Sequence, residues 1–189
     1  MKKDYYKNNP KEFIKESFTY DLSVFYKYMY PYFISLKRNA KVLDLGFGSI
    51  RDMLHFRQNF NIDIEGVDSC ADFIKIARDN NFKAHLSELP IMNFKGNYDL
   101  IYSIGLIFHL DDLNRVNLFK NLFNKLNKDG LLVLSYNDLD RSTDEKREFF
   151  TITRELIDNQ LLAAGFSKLK EEVMKDKRDF NWITSTYKK

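Results

Sequence analysis

One cysteine, three prolines and seven glycines in a chain of 189 residues rule out several ways of building a protein of this size. Cys70 has no partner for an intramolecular disulfide, and no thiolate metal cluster can be assembled from the chain. A reducing cytoplasm is the compartment that fits such cysteine usage. No apolar run is long enough to cross a membrane, and Lys2, Lys3, Lys7, Lys11 and Lys15 interrupt the first 30 residues, so neither an export signal nor an anchor is expected. An excess of one charge is missing as well. Thirty Lys and Arg face 27 Asp and Glu, a net charge of +3, without the basic surplus of a dedicated nucleic-acid binder. The most basic stretch, 168–178, also holds Glu171, Glu172 and Asp176 and reads as a solvated mixed surface. Internal repeats and low-complexity linkers are lacking, which leaves one globular unit over 1–189.

What is present is an alternation of short apolar runs with longer stretches of helical period from residue 41 onward, the pattern of an α/β fold with a mostly parallel sheet. Strands are expected over 41–45, 62–67, 83–86, 98–104 and 131–135, and helices over 51–60, from Phe73 to Asn80-Asn81, and 155–164. The helix between residues 112 and 126 carries a stripe of Leu113, Val116, Phe119, Leu122, Phe123 and Leu126. Asp111 or Asp112 caps its start, and Gly130 is expected to supply a left-handed residue after its end. Ser69 stands where a helix cap belongs. The last two runs, 167–173 and 181–187, read as an antiparallel hairpin. The first 40 residues hold eleven aromatics in probable helices, which either pack on the sheet edge or form a lid that includes Tyr6 and Phe13.

The chemistry is concentrated in Val42-Leu43-Asp44-Leu45-Gly46-Phe47-Gly48-Ser49. It places an acid near the end of a buried strand and two glycines in the turn to a helix, where a missing side chain lets backbone approach a ligand. Twenty residues beyond Gly48, Asp68 ends the second strand, where a carboxylate accepts from both hydroxyls of a ribose. Dinucleotide binders favour a third glycine at the place of Arg51, and its absence argues against a nicotinamide enzyme. Asp44 is placed to organise the turn and to attract an ammonium group.

These residues resemble the class I S-adenosylmethionine-dependent methyltransferases, small bacterial ones of the tellurite-resistance and small-molecule type. The likeness runs from about Tyr5 to Lys188. Gly46-Phe47-Gly48-Ser49-Ile50-Arg51-Asp52 is similar to the family's G-x-G-S-G-R-D turn, Ser87-Glu88-Leu89-Pro90 to its adenine segment and Leu106-Ile107-Phe108-His109-Leu110 to its L-x-H stretch. Leu126-Asn127-Lys128-Asp129-Gly130-Leu131-Leu132 resembles its L-K-P-G-G-x-L signature, and Arg178-Asp179 with Trp182 its last hairpin. The resemblance implies a Rossmann-like core over 41–189: a seven-stranded, mostly parallel sheet with helices on both faces and an antiparallel C-terminal hairpin, under a helical cap over 1–40. It implies S-adenosyl-L-methionine as cofactor, with Gly46, Phe47 and Gly48 lining it and Asp68 on the ribose. Ser69, Ser87 and Glu88 would lie at the adenine, Ser103 and Ile104 at the methionine end. Arg51 and Asp52 either touch that end or form an exposed pair. Ile50 occupies the place of a family glycine, and its β-branched side chain is expected to crowd the methionine end or shift the turn.

For the acceptor, His109 is the candidate general base, ahead of His55 and His85. The chain lacks the Asn/Asp-Pro-Pro-aromatic segment of DNA amino-methyltransferases and a Pro-Cys nucleophile, and no carboxylate spacing recommends a metal. A small-molecule acceptor, enclosed by the N-terminal helices and the 138–153 loop, is the expectation, in a monomer or homodimer. An S-adenosylmethionine-binding regulator without activity and an RNA or protein methyltransferase are the alternatives.

Overall fold

The computed structural model describes residues 4–137, 144, 146–176 and 180–189. Helices α1 (Tyr5–Asn8), α2 (Pro10–Ser17) and α3 (Ser23–Ser35) come first. The strands β1 (Val42–Leu45), β2 (Ile64–Asp68), β3 (Lys83–Leu86), β4 (Tyr98–Ile104), β5 (Leu126–Tyr136), β6 (Ser167–Lys175) and β7 (Asn181–Lys188) form one sheet in the order β3-β2-β1-β4-β5-β7-β6. Strands β1 to β5 pair in parallel, and β7 runs antiparallel between β5 and β6. Helices α4 (Arg51–Phe60), α5 (Ala71–Asp79), α6 (Asp112–Lys125) and α7 (Arg154–Ala163) connect the strands. This is the Rossmann-like α/β sheet with an antiparallel terminal hairpin. Among the described residues no helix is long and apolar enough to cross a membrane.

Strand alternation divides the core into two layers. Val42, Ile64, Leu100 and Val133 point toward α3, α4 and α5, where Phe33, Phe56 and Phe73 meet them. Leu43, Val67, Ile101 and Leu132 point the other way, onto Phe119 and Leu122 of α6 and Ile157 and Leu161 of α7. Parallel strands buried on both faces do not show a regular polar alternation, which is why these runs are mostly apolar.

Several local expectations are corrected. In α6 the buried stripe is Arg115, Leu118, Phe119 and Leu122, while Leu113 is 71% exposed. Arg115 is tolerated inside because its guanidinium donates to Leu110 O, Gln160 Oε1 and Asp112 Oδ1. Asp111 caps that helix by accepting from Asn114 N. The helix gives way directly to β5 at Leu126, and the left-handed residue is Asp129 at φ 63°, not Gly130. Gly130 is needed for close approach instead: a Cβ there would stand 2.9 Å from Asn127 O and 3.2 Å from Tyr98 O. Ser69 is not a cap, since α5 starts one residue later with Cys70 in the capping position. The hairpin likeness at Arg178-Asp179 and part of the expected 138–153 loop, residues 138–143 and 145, lie outside the described residues.

One strand glycine positions the site from below. Phe47, in the turn after β1, lays its ring over β2, where a Cβ on Gly66 would stand 2.5 Å from Phe47 Cδ1 and 3.1 Å from Met53 Sδ. Gly66→Ala is therefore expected to lower stability in urea unfolding by about 1–3 kcal/mol, the range for overpacking a filled core. An unchanged midpoint would show that Phe47 has room to move.

Candidate active site

The site forms at the C-terminal ends of the parallel strands, where three turns meet. Glycines at 46 and 48 take φ of 71° and 57°, a region closed to most side chains. Gly46 N donates to Val67 O at 2.8 Å. Asp68 accepts from Gly48 N at 3.0 Å through Oδ2 and from Cys70 N at 2.9 Å through Oδ1, while its own carbonyl accepts from Ser87 N. One residue thus ties together the turns after β1, β2 and β3. Burial pushes its carboxyl above the usual range, against the amides of Cys70, Gly48 and Ser69 that favour the charge.

Ile50 corrects the expectation drawn from the missing glycine. It takes φ 60° and ψ 0° at the start of α4, yet its side chain is 3% exposed and packs in the layer under α3, α4 and α5. It lines neither cavity of the site, so its side chain narrows neither of them. The strain of a β-branched residue in the left-handed region is offset by what its burial returns.

Arg51 and Asp52 form a buried pair, not an exposed one. Arg51 Nε and Nη2 donate to the two Asp52 oxygens at 2.9 Å each, and Nη1 donates to Ser17 O at 2.6 Å. Tyr26 adds its hydroxyl to Asp52 Oδ1 at 2.6 Å. The first turn of α4 therefore holds both α2 and α3. Behind it, Asp44 pairs in register with Tyr102 across β1 and β4. Asp44 Oδ2 and the Tyr102 hydroxyl are buried with no hydrogen-bond partner among the described residues. Burial first, then the Asp52 carboxylate, pushes the Asp44 carboxyl well above the ordinary range, with Arg51 pulling the other way.

Two adjoining cavities open over these turns. The smaller, about 210 Å³, is lined by Asp68, Ser69, Ser87 and Glu88. The larger, about 260 Å³, is lined by Phe47, Arg51 and Asp52 on one side and by Phe108, Phe149 and Trp182 on another. Gly46, Gly48, Ile104, His109, Tyr6 and Phe13 border both. Of the residues expected at the site, Ser103 and Asp44 line neither cavity. Ser103 is 1% exposed and donates to Leu45 O at 2.8 Å, so its hydroxyl is spent inside the sheet. Ser87 Oγ donates to Ile91 O.

Tyr6 and His109 meet across the boundary, 103 residues apart in sequence. The Tyr6 hydroxyl lies 2.9 Å from His109 Nε2, and His109 Nδ1 lies 2.6 Å from Glu148 O. A carbonyl only accepts, so Nδ1 carries a proton, and in the neutral imidazole Nε2 then accepts from the Tyr6 hydroxyl. Burial pushes the Tyr6 phenol up to about 12, and Arg147 beside it pulls in the opposite direction. Arg147, Phe149 and the Glu148 carbonyl fall in the 138–153 stretch expected to enclose the acceptor, but no motif there singles them out. Tyr102 escaped it because its relation to Asp44 is a strand register. His55 and His85 sit away from both cavities, bonded to Tyr30 and Glu65.

Ile50→Gly suits the backbone but empties a core position. Removing a buried Ile to Ala-like size costs about 2–5 kcal/mol and left-handed relief returns about 1–2, so a net loss of about 1–3 kcal/mol in urea unfolding is expected. Tighter binding of S-adenosylhomocysteine by this variant would show that Ile50 does crowd the pocket.

The methyltransferase domain family model matches residues 18–172. Phosphoethanolamine N-methyltransferase of Plasmodium falciparum is 26% identical over 162 residues, 78% of this chain and 60% of that protein, so the chain spans about three-fifths of that relative's length. An S-adenosylmethionine-dependent methyltransferase from Clostridium acetobutylicum superposes with a TM-score of 0.75 at 14% identity, covering 97% of this chain and 98% of that one. The Burkholderia thailandensis 1,6-didemethyltoxoflavin-N1-methyltransferase, with bound 1,6-didemethyltoxoflavin and S-adenosylhomocysteine, gives 0.71 at 16% identity, over 98% and 87%. These two show likeness of fold. With the family model covering most of the chain, the protein belongs to the methyltransferase domain family.

Proposed function

We propose that the protein methylates the nitrogen of a small amine held in the larger cavity, with residues 1–40 as the cap that closes over it. The observation that carries this reading is the pairing of an aromatic-walled cavity of about 260 Å³ with a proton acceptor at its edge, the Tyr6–His109 pair. Phe108, Phe149 and Trp182 suit a small cation, since ring faces attract ammonium groups. Two of the relatives named above also carry nitrogen methylation in their names.

The residues fit the cofactor. Asp68 takes amide donors on both oxygens and, with about four acceptor positions in all, keeps capacity for a further donor. Gly46 and Gly48 leave the turn bare, Ser69, Ser87 and Glu88 stand where the base would lie, and Ile104 borders the passage between cavities. Arg51 and Asp52 offer opposite charges to an amino-acid end, while Asp44 supports the turn from behind. When bound, S-adenosylmethionine supplies an electrophilic methyl group on a sulfonium. The protein's own work is to hold the amine in line and receive its proton. An ammonium acceptor must lose a proton before its lone pair is free. The Tyr6 hydroxyl passes that proton on as its own moves to His109 Nε2, with Glu148 O fixing the imidazole's tautomer.

Incubation with S-adenosylmethionine and a panel of small amines, phenols and thiols, phosphoethanolamine among the amines, is expected to release S-adenosylhomocysteine with an amine. His109→Ala should then lower kcat by about 10²–10⁴-fold while S-adenosylhomocysteine still binds. Turnover confined to phenols or thiols would reject the nitrogen assignment. Asp68→Asn is expected to weaken S-adenosylhomocysteine in calorimetry by about 1–3 kcal/mol, roughly 5- to 150-fold. A folded variant with the native dissociation constant would displace the ribose from Asp68.

A further inference from the structure

The two cavities divide the groups assigned to the cofactor. Asp68 and Ser69 open onto the smaller one alone, and Ser49, Arg51 and Asp52 onto the larger one alone. A ligand held at both ends must therefore cross the strip at Gly46 and Gly48 that the cavities share. Phe13 lies on that strip. A Cβ added to Gly48 would come within 2.8 Å of Phe13 Cε1, so the ring rests on the bare face of the turn that the glycine exposes. The ring is held there by an edge contact with Tyr6, centroids 5.0 Å apart, and by Phe73 of α5 at 5.6 Å.

The helices that carry this ring are tied down at both ends. Arg51 Nη1 holds Ser17 O at the end of α2, and at α1 the Tyr6 hydroxyl holds His109 while Cys70 Sγ donates to Tyr6 O at 3.6 Å. Tyr6 and Phe73 flank the ring, so a displacement of Phe13 from Gly48 is coupled to these neighbours and, through Tyr6, to α1. We infer that Phe13 is a gate on the passage joining the two cavities, which must leave Gly48 before the cofactor can lie across the turn and must leave again to release the spent one. This rests on the assignment of Asp68 to the ribose. It goes beyond a covering role for the N-terminal helices, because it makes their opening a step in cofactor exchange and lowers the apparent affinity by the fraction of molecules that are open.

Rapid mixing of the full chain with S-adenosylhomocysteine, followed through Trp182 in the wall of the larger cavity, tests the gate. The native protein is expected to show an observed rate that levels off with ligand concentration, at the rate of opening. Phe13→Ala should remove the plateau and raise the association rate constant about tenfold, as when a competent state populated at about a tenth becomes dominant. Phe13→Leu keeps an apolar side chain in α2 should the alanine variant fail to fold, and it should give a smaller rise in the same direction. Native-like association with faster dissociation alone would overturn the gate and leave Phe13 as a packing wall. The site assignment fails separately, by an unchanged dissociation constant in Asp68→Asn.

Discussion

The carboxylate of Asp68 is the tie on which the site depends. Parallel strands end in turns that have no hydrogen bonds to one another by default, because the sheet ladder stops where the strands stop. Asp68 replaces the ladder at that level, taking Gly48 N on one oxygen and Cys70 N on the other, with its carbonyl receiving Ser87 N. Amide donors to a carboxylate are among the stronger hydrogen bonds a protein makes, and here they compete with burial that opposes the charge. The outcome is a carboxylate fixed in place and still able to accept, which is the property a nucleoside site needs.

A second constraint is that the Arg51–Asp52 side of the site is built from three separate stretches of chain. Arg51 and Asp52 begin α4, but their partners, Ser17 and Tyr26, come from α2 and α3. Neutralisation inside the protein is what lets both charges sit at a cavity wall, since either ion alone would be costly to bury. The same bonds fasten the N-terminal helices to the core, so the charged groups at the cavity wall also anchor those helices. Cap position and site electrostatics are therefore one arrangement.

The N-terminal aromatics divide by depth. Phe25, Tyr28 and Phe33 are buried and complete the layer above the sheet, with Tyr28 and Tyr32 both meeting Thr186 of β7. Tyr6 and Phe13 are half-buried and face the cavities. Packing on the sheet thus falls to α3, while Tyr6 of α1 and Phe13 of α2 border the cavities.

Local spacing determined much of this chain by itself. The bounds of α4, β3 and β4 follow from apolar period and flanking turn residues, and the glycines and Asp68 are legible because strand, turn and acid follow one another within thirty residues. The sequence misled where a side chain's fate depends on a distant neighbour. Leu113 fits the helical stripe yet faces water, because Gln160, Leu110 and Asp112 make Arg115 acceptable inside. Ile50 replaces a glycine of the related turn yet turns into the core, because α3 and α4 leave space for it there. Ser103 ends a strand at the right height yet spends its hydroxyl on Leu45. Only the tertiary structure brought Tyr6 to His109 and Phe13 to Gly48, since no period or motif links residues so far apart. Folding joins them because the parallel sheet gathers its turns at one end and leaves a single concave surface for the N-terminal helices to cover.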